Sequence, residues 1–163
     1  MIEALAVLQQ IVDLLTDETS GCAVSPVPCR VAVYPGASVP WDSCGSQGCG
    51  DEKNGQLWAA LVSANVTGQG ECRRITFTAN IGVVRCEQGS LRDDGSFPPV
   101  DLTEADATQQ AVDADTIWRA LTCCEARSDA LRDLTLVSWT ALGPSGGCVG
   151  GQWTATGAID VCC

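Results

Sequence analysis

The side chains best suited to chemistry in this sequence are its cysteines, of which there are eleven. Cys44 and Cys49 stand close together in a polar stretch, a spacing that suits either half of a zinc site or a local disulfide. Structural zinc needs a second, suitably spaced pair of ligands, but Cys22 and Cys29 are too far apart for this. The adjacent pairs Cys123-Cys124 and Cys162-Cys163 are poor for tetrahedral chelation, and the sequence has no histidine. We therefore predict no metal site, while a Cys44–Cys49 disulfide and two ordinary thiols both stay open.

Neighbouring carboxylates are the second feature that could do chemistry, and they occur at 51–52, 93–94 and 113/115. A glycosidase needs two carboxylates on opposite sides of a pocket, one of them with a pKa raised by burial. The first two pairs lie in polar loops and the third lies on a predicted helix. We therefore expect all of these carboxylates to be solvated.

The lack of histidine excludes several kinds of catalytic site at once. It removes the Ser-His-Asp triad, the Cys-His pair and every site in which histidine holds a metal. The glycine-rich segment 143–151 has no lysine and therefore does not match a phosphate-binding loop. We predict no catalytic residue and no cofactor, and we expect that the protein is not an enzyme.

The charge balance narrows the choice of partners. The chain has 9 basic and 20 acidic residues, with a formal net charge of −11. This argues against a groove for nucleic acid and against a polybasic membrane surface. The first residues carry no basic segment of a secretory signal, and no apolar run has the length of a membrane span. We therefore expect synthesis in a reducing cytoplasm, with most cysteines acting as small buried apolar residues.

Hydrophobic periodicity predicts two helices. Residues 2–16 place apolar side chains at steps of three and four, which is typical of an amphipathic helix. A second helix is predicted over 103–124, with Thr103 as its N-cap and Asp106 at the third position. Its expected apolar face consists of Ala107, Ala111, Ala114, Ile117, Trp118 and Leu121.

Strands are predicted at 30–34, 56–67, 72–86, 133–142 and 148–161, the last two joined by a turn at 143–147. The clearest is 72–86, in which apolar and polar residues alternate over nine positions. Long polar loops are expected at 36–55 and 87–102. The order of elements predicts the α+β class: one domain over 1–163, with an antiparallel or mixed sheet on which two helices pack.

The sequence has five tryptophans, an unusual number beside one tyrosine and two phenylalanines. Four of them fall in predicted helices or strands and are expected in the core. Trp41 lies instead in the loop 36–55, together with Asp51 and Glu52. A tryptophan in a polar loop is a typical interface anchor, so we predict that these three residues belong to an assembly surface.

The chain resembles the tail-terminator proteins of long-tailed phages of actinobacteria. The resemblance extends over the N-terminal helix, the long loop, the helix 103–124 and, most specifically, the segments 134–139 and 143–154. It implies a small α/β sandwich that assembles with itself as a ring, expected to be a hexamer. It also implies a virion protein assembled in the host cytoplasm, which contacts the major tail tube protein and the head-side stopper. DNA would pass through the ring without specific binding.

Two other interpretations stay open. One is a different protein of the phage neck, such as the stopper or an adaptor. The other is a cysteine-rich extracellular binding module, which would require that most cysteines are paired. A ring that caps tail tubes would distinguish a tail terminator from both.

Overall fold

The structure is a computed structural model that describes residues 2–40, 55–68, 72–86, 98–145 and 148–162. It has the predicted α+β composition, with two helices and one five-stranded mixed sheet. In chain order the elements are α1 (Ile2–Thr16), β1 (Arg30–Tyr34), β2 (Gln56–Thr67), β3 (Cys72–Cys86), α2 (Val100–Thr122), β4 (Thr135–Ser145) and β5 (Cys148–Cys162). Short 3-10 helices occupy Glu18–Ser20 and Asp129–Leu131.

The strands lie in the order β1-β2-β3-β5-β4. β1 runs parallel to β2, and all the other neighbours are antiparallel. β3 and β5 pair along their whole length, from Cys72 opposite Cys162 to Cys86 opposite Cys148. These two strands form the centre of the sheet, while β1 and β4 are its edges.

One face of the sheet carries both helices and the main core. Side chains alternate along a strand, so the odd-numbered residues of β3 from Ile75 to Val83 all point to this face, where they are buried. α1 packs over β1, β2 and β3, and α2 packs over β4 and β5. The periodicity of α1 was predicted correctly, because its buried residues are Ala4, Val7, Leu8, Ile11, Val12, Leu14 and Leu15.

The opposite face of the sheet is divided into two parts. Near the end of β3, a small apolar cluster surrounds the fully buried Trp58, whose ring lies against Gly82 on the neighbouring strand. Beyond this cluster the face is lined mainly by hydroxyl and amide side chains, including Ser63, Asn65, Thr76, Thr78, Thr135, Ser138, Thr154 and Thr156. Its described charges include Asp133 and the exposed ion pair of Arg74 with Asp160 at 3.4 Å.

The start of α2 differs from the sequence prediction. The helix begins at Val100, and Thr103 is not its N-cap. Pro99 takes that position instead, and its carbonyl accepts the backbone N–H groups of Leu102 and Thr103 at 3.2 and 3.4 Å. The N-cap therefore lies four residues before Thr103, at a proline whose fixed backbone angle favours the start of the helix.

The final hairpin is present as predicted, and β4 extends three residues beyond its expected end. β4 continues through Ser145, and β5 begins at Cys148. Gly143, which was placed in the turn, therefore belongs to the strand. Neighbouring groups approach the backbone closely at Gly150 and Gly151. A Cβ at Gly150 would overlap the carbonyl oxygen of Val83, and one at Gly151 would overlap the ring of Trp139.

The cysteines contradict the expectation of small buried thiols. Cys22 is bonded to Cys124, and Cys72 is bonded to Cys162. Cys29 and Cys148 are disulfide-bonded as well. Within the described ranges, the free thiols are Cys86 and Cys123. The Cys72–Cys162 bond follows from strand register, because the two residues are directly opposite each other with their Cα atoms 4.0 Å apart.

Candidate functional site

The site predicted from the sequence lies outside the described residues. This holds for the proposed interface residues Trp41, Asp51 and Glu52, and for the Cys44–Cys49 pair. The candidate site therefore comes from surfaces that the sequence interpretation assigned to the core. They lie along α2 and beside the β4–β5 hairpin.

The main candidate is a groove between α2 and the β4–β5 hairpin, here called the α2 groove. Its volume is about 620 Å³, and it is open to solvent. The side chains of Trp139 and Trp153 form one wall, with ring centroids 5.7 Å apart. A stripe of α2 residues spaced by four, three and four positions forms the other wall: Ala107, Ala111, Ala114 and Trp118.

One hydrogen bond fixes the width of the α2 groove. The indole N–H of Trp153 donates to the backbone carbonyl of Ala114 at 2.9 Å. Trp153 stands opposite Trp139 in the β4–β5 register, so the two rings pack as a tilted pair with an interplanar angle of 58°. Aromatic pairs in this arrangement add roughly 0.5–1.5 kcal/mol beyond their buried area. The wall of the groove is therefore a preformed surface.

Trp118 was predicted to be in the core, and this prediction is wrong. Its side chain is 43% exposed at the mouth of the α2 groove. The reason is geometric, because Trp118 follows the buried Ile117 and one helical step turns it by about 100° away from the sheet. The residues of α2 that are buried are Asp113, Ile117, Ala120 and Leu121. The predicted core positions Ala107 and Ala111 are exposed as well.

The leading half of α2 (residues 100–112) contains no buried residue. It spans more than three helical turns, or about 20 Å. A helix of this length is only marginally stable in water by itself, since most helical stability in proteins comes from packing an apolar face. Val100 and Val112 are among its exposed apolar side chains. This segment is therefore a surface that a neighbouring molecule could stabilise.

A buried ion pair anchors the second half of α2, residues 113–122. Asp113 was expected to be solvated, but it is only 2% exposed. Both of its oxygens accept hydrogen bonds from the guanidinium of Arg85, each at 2.7 Å. Arg85 also donates to the carbonyl of Pro26 at 2.8 Å, and Gln109 donates to Asp113 at 3.1 Å. The cluster joins β3, α2 and the connector after α1.

The sequence contained a signal for this pair that the interpretation missed. Arg85 continues the odd-numbered alternation of β3 that points to the helices. Asp113 lies four residues before Ile117, which itself lies four before Leu121, so it falls on the buried stripe of α2. One polar residue on each of two core-facing stripes, with opposite charges, indicates a buried pair.

The charges along the α2 groove are almost all negative. The leading half of α2 carries Asp101, Glu104 and Asp106 and has no basic residue. Asp101 and Glu104 form no ion pair with any described residue. At the other end of the groove, Asp115 and Arg119 form an exposed pair at 2.8 Å. A ligand of this surface would need apolar side chains and at least one cation.

The described residues contain no group of three or more side chains that could hold a metal ion. The free thiol of Cys86 is half-buried, and burial raises its pKa. Neither of the two described helices is long and apolar enough to cross a membrane. The comparisons with known proteins add no family: no protein-family model matches the chain, and no curated protein matches it.

Proposed function

We propose that this chain is a structural protein of a phage virion that caps the tail tube as a ring. In this function it ends tail polymerisation, contacts the major tail tube protein on one side and the head-side stopper on the other, and lets DNA pass. The resemblance of the segments 134–139 and 143–154 to tail terminators is the reason for proposing this family. The α+β fold with two helices on one face of the sheet is compatible with it.

The observation that carries the proposal is the leading half of α2, which has no buried residue although it forms more than three turns of helix. Together with the open α2 groove and its exposed Trp118, it forms a large surface that no described residue buries. Open grooves lined by exposed apolar side chains such as Trp118 commonly mark interaction sites. Assembly of identical subunits would cover it in every copy.

The charge distribution suits passage of DNA without binding. The net charge of −11 opposes phosphate, and the open part of the sheet opposite the helices is lined mainly by hydroxyl and amide groups. Such a surface has no excess of lysine and arginine to exchange with the counterions of DNA, which is the main source of non-specific affinity. A gel shift at about 0.15 M salt should therefore show no binding of duplex DNA at micromolar protein.

The direct test is an assembly assay with purified protein. Negative-stain images should show closed rings with a hole wide enough for duplex DNA. Added to tail tubes of the same phage, these rings should sit at one end of each tube and stop its growth. Rings that bind the head-side connector but leave tube growth unchanged would favour the stopper or an adaptor instead.

The disulfides favour one further candidate, an extracellular binding module. Six of the described cysteines are bonded, which is typical of secreted domains. In this alternative the protein is a stable monomer and the α2 groove binds a partner of another kind. The sedimentation behaviour of the oxidised protein separates the two, because only the ring proposal requires self-assembly.

A further inference from the structure

We propose that the ring contact is made by the distal part of the β2–β3 hairpin of one subunit, seated in the α2 groove of the next. This distal hairpin comprises residues 62–67 of β2 and 72–75 of β3. The inference rests on the ring that the proposed function requires. It assigns the two surfaces that meet and the residues that pair across them.

The first step concerns which kind of segment the groove accepts. Its helical stripe continues from Trp118 and the alanines to Glu104, which lies three residues before Ala107. The groove is therefore mainly apolar, with Gln110 and Asp115 as its polar lining residues, and the helix surface is acidic at the end nearest the start of α2. A helix of a second copy does not suit this surface, because α1 has no basic residue and α2 has only Arg119.

The distal hairpin has the complementary composition. Val66 is 54% exposed, although it stands opposite the buried Ile75 on the face that the helices cover elsewhere. Arg73 precedes Ile75 by two residues and therefore points to this same face. Arg73 is exposed and forms no ion pair with any described residue. Arg74, by contrast, points to the opposite face and pairs with Asp160.

The two surfaces cannot meet within one chain. Arg73 and Arg85 lie near opposite ends of β3, about 40 Å apart along the strand. Arg85 is bound to Asp113, so the middle of α2 is held at the end of β3 that lies farthest from Arg73. A contact between the hairpin and the α2 groove therefore joins two different surfaces of two copies. Such head-to-tail contacts close into rings when the rotation between subunits permits it.

The test reverses the charges on each side of the proposed contact. Arg73→Glu and Glu104→Arg each place like charges together, which should raise the protein concentration needed for half-maximal assembly by about tenfold. The double variant restores opposite charges and should assemble at a concentration close to that of the wild type. Sedimentation velocity over a concentration series measures all four proteins.

Matched controls separate assembly from folding. Glu125→Arg changes another exposed acid, which does not line the groove, and should assemble like the wild type. Each variant should keep the thermal midpoint of the wild-type subunit under conditions where both are dissociated, since the altered side chains are exposed. If Arg73→Glu lowers that midpoint, the neutral variant Arg73→Gln replaces it.

The outcomes separate this inference from the proposed function. Rings that form in the wild type and are unaffected by either single reversal overturn the hairpin contact and leave the ring intact. Loss of assembly in both single variants without recovery in the double variant also overturns the pairing. A wild-type protein that stays monomeric at every concentration overturns both proposals.

Discussion

Arg85 and Asp113 form a two-pronged ion pair in the interior, with both nitrogen–oxygen distances at 2.7 Å. The pair joins the end of β3 to the middle of α2, and the carbonyl of Pro26 accepts a further hydrogen bond from Arg85. It sits where the buried half of α2 gives way to its exposed leading half. The orientation of the α2 groove therefore depends on this contact.

Removal of one partner of the pair should destabilise the protein strongly. Asp113→Ala leaves the guanidinium of Arg85 buried without its counter-charge, and we expect a loss of about 3–5 kcal/mol in the free energy of unfolding. The double variant Arg85→Met/Asp113→Leu should lose much less, because no charge remains buried. Urea denaturation measures both. Equal losses in the single and double variants would show that packing, and not charge, determines the effect.

Gly82 should tolerate no side chain. A Cβ at this position would overlap the ring of Trp58. That ring is fully buried in the small apolar cluster on the sheet face opposite the helices. Gly82→Ala should therefore cost about 1–3 kcal/mol through overpacking. Gly143→Ala is the control, because nothing lies within 4 Å of a Cβ there. Similar thermal midpoints for the two variants would contradict the close contact with Trp58.

The cysteines should react in a defined order. Of the two described free thiols, Cys123 is exposed and should be alkylated before Cys86 in the native protein. Cys86 should react more slowly, because burial raises its pKa and leaves less thiolate at any given pH. Its rate should increase as the pH rises through the alkaline range. Mass spectrometry of the alkylated peptides measures the order, and faster modification of Cys86 would contradict it.

Proline at Thr154 should disrupt the centre of the sheet. Thr154 lies on β5 between Asn80 of β3 and Ser138 of β4, so it has a paired strand on each side. Thr154→Pro removes a backbone N–H that could donate a hydrogen bond to a neighbouring strand. The free energy of unfolding should fall by about 3 kcal/mol or more. Thr135→Pro, at the first residue of the edge strand β4, should cost far less. Comparable losses at the two positions would argue against this strand order.

The regular elements were predictable because their signals are local. The periodicity of α1 and the alternation of β3 depend only on side chains that must be buried on one face. The bounds of β1, β2 and β3 agree with the prediction for the same reason. The start of α2 was placed wrongly, because the capping pattern at Thr103 competed with the rigid backbone of Pro99.

The disulfides and the candidate site were not predictable in the same way. Cys22 and Cys124 are 102 residues apart in sequence, and Cys72 and Cys162 are 90 apart, so no local pattern shows that they meet. The stripe that ends at Trp118 is apolar and helical in period, which is also the pattern of a core face. Only the packing of α2 on the sheet decides which of its stripes is buried.

The ring is tested most directly by counting the subunits of the purified, oxidised protein in solution. Native mass spectrometry over a range of concentrations, together with negative-stain images of the same samples, gives both the number of copies and their arrangement. We predict one closed assembly, expected to be a hexamer with a central hole. A monomer at every concentration, or open filaments without closure, would contradict the proposal.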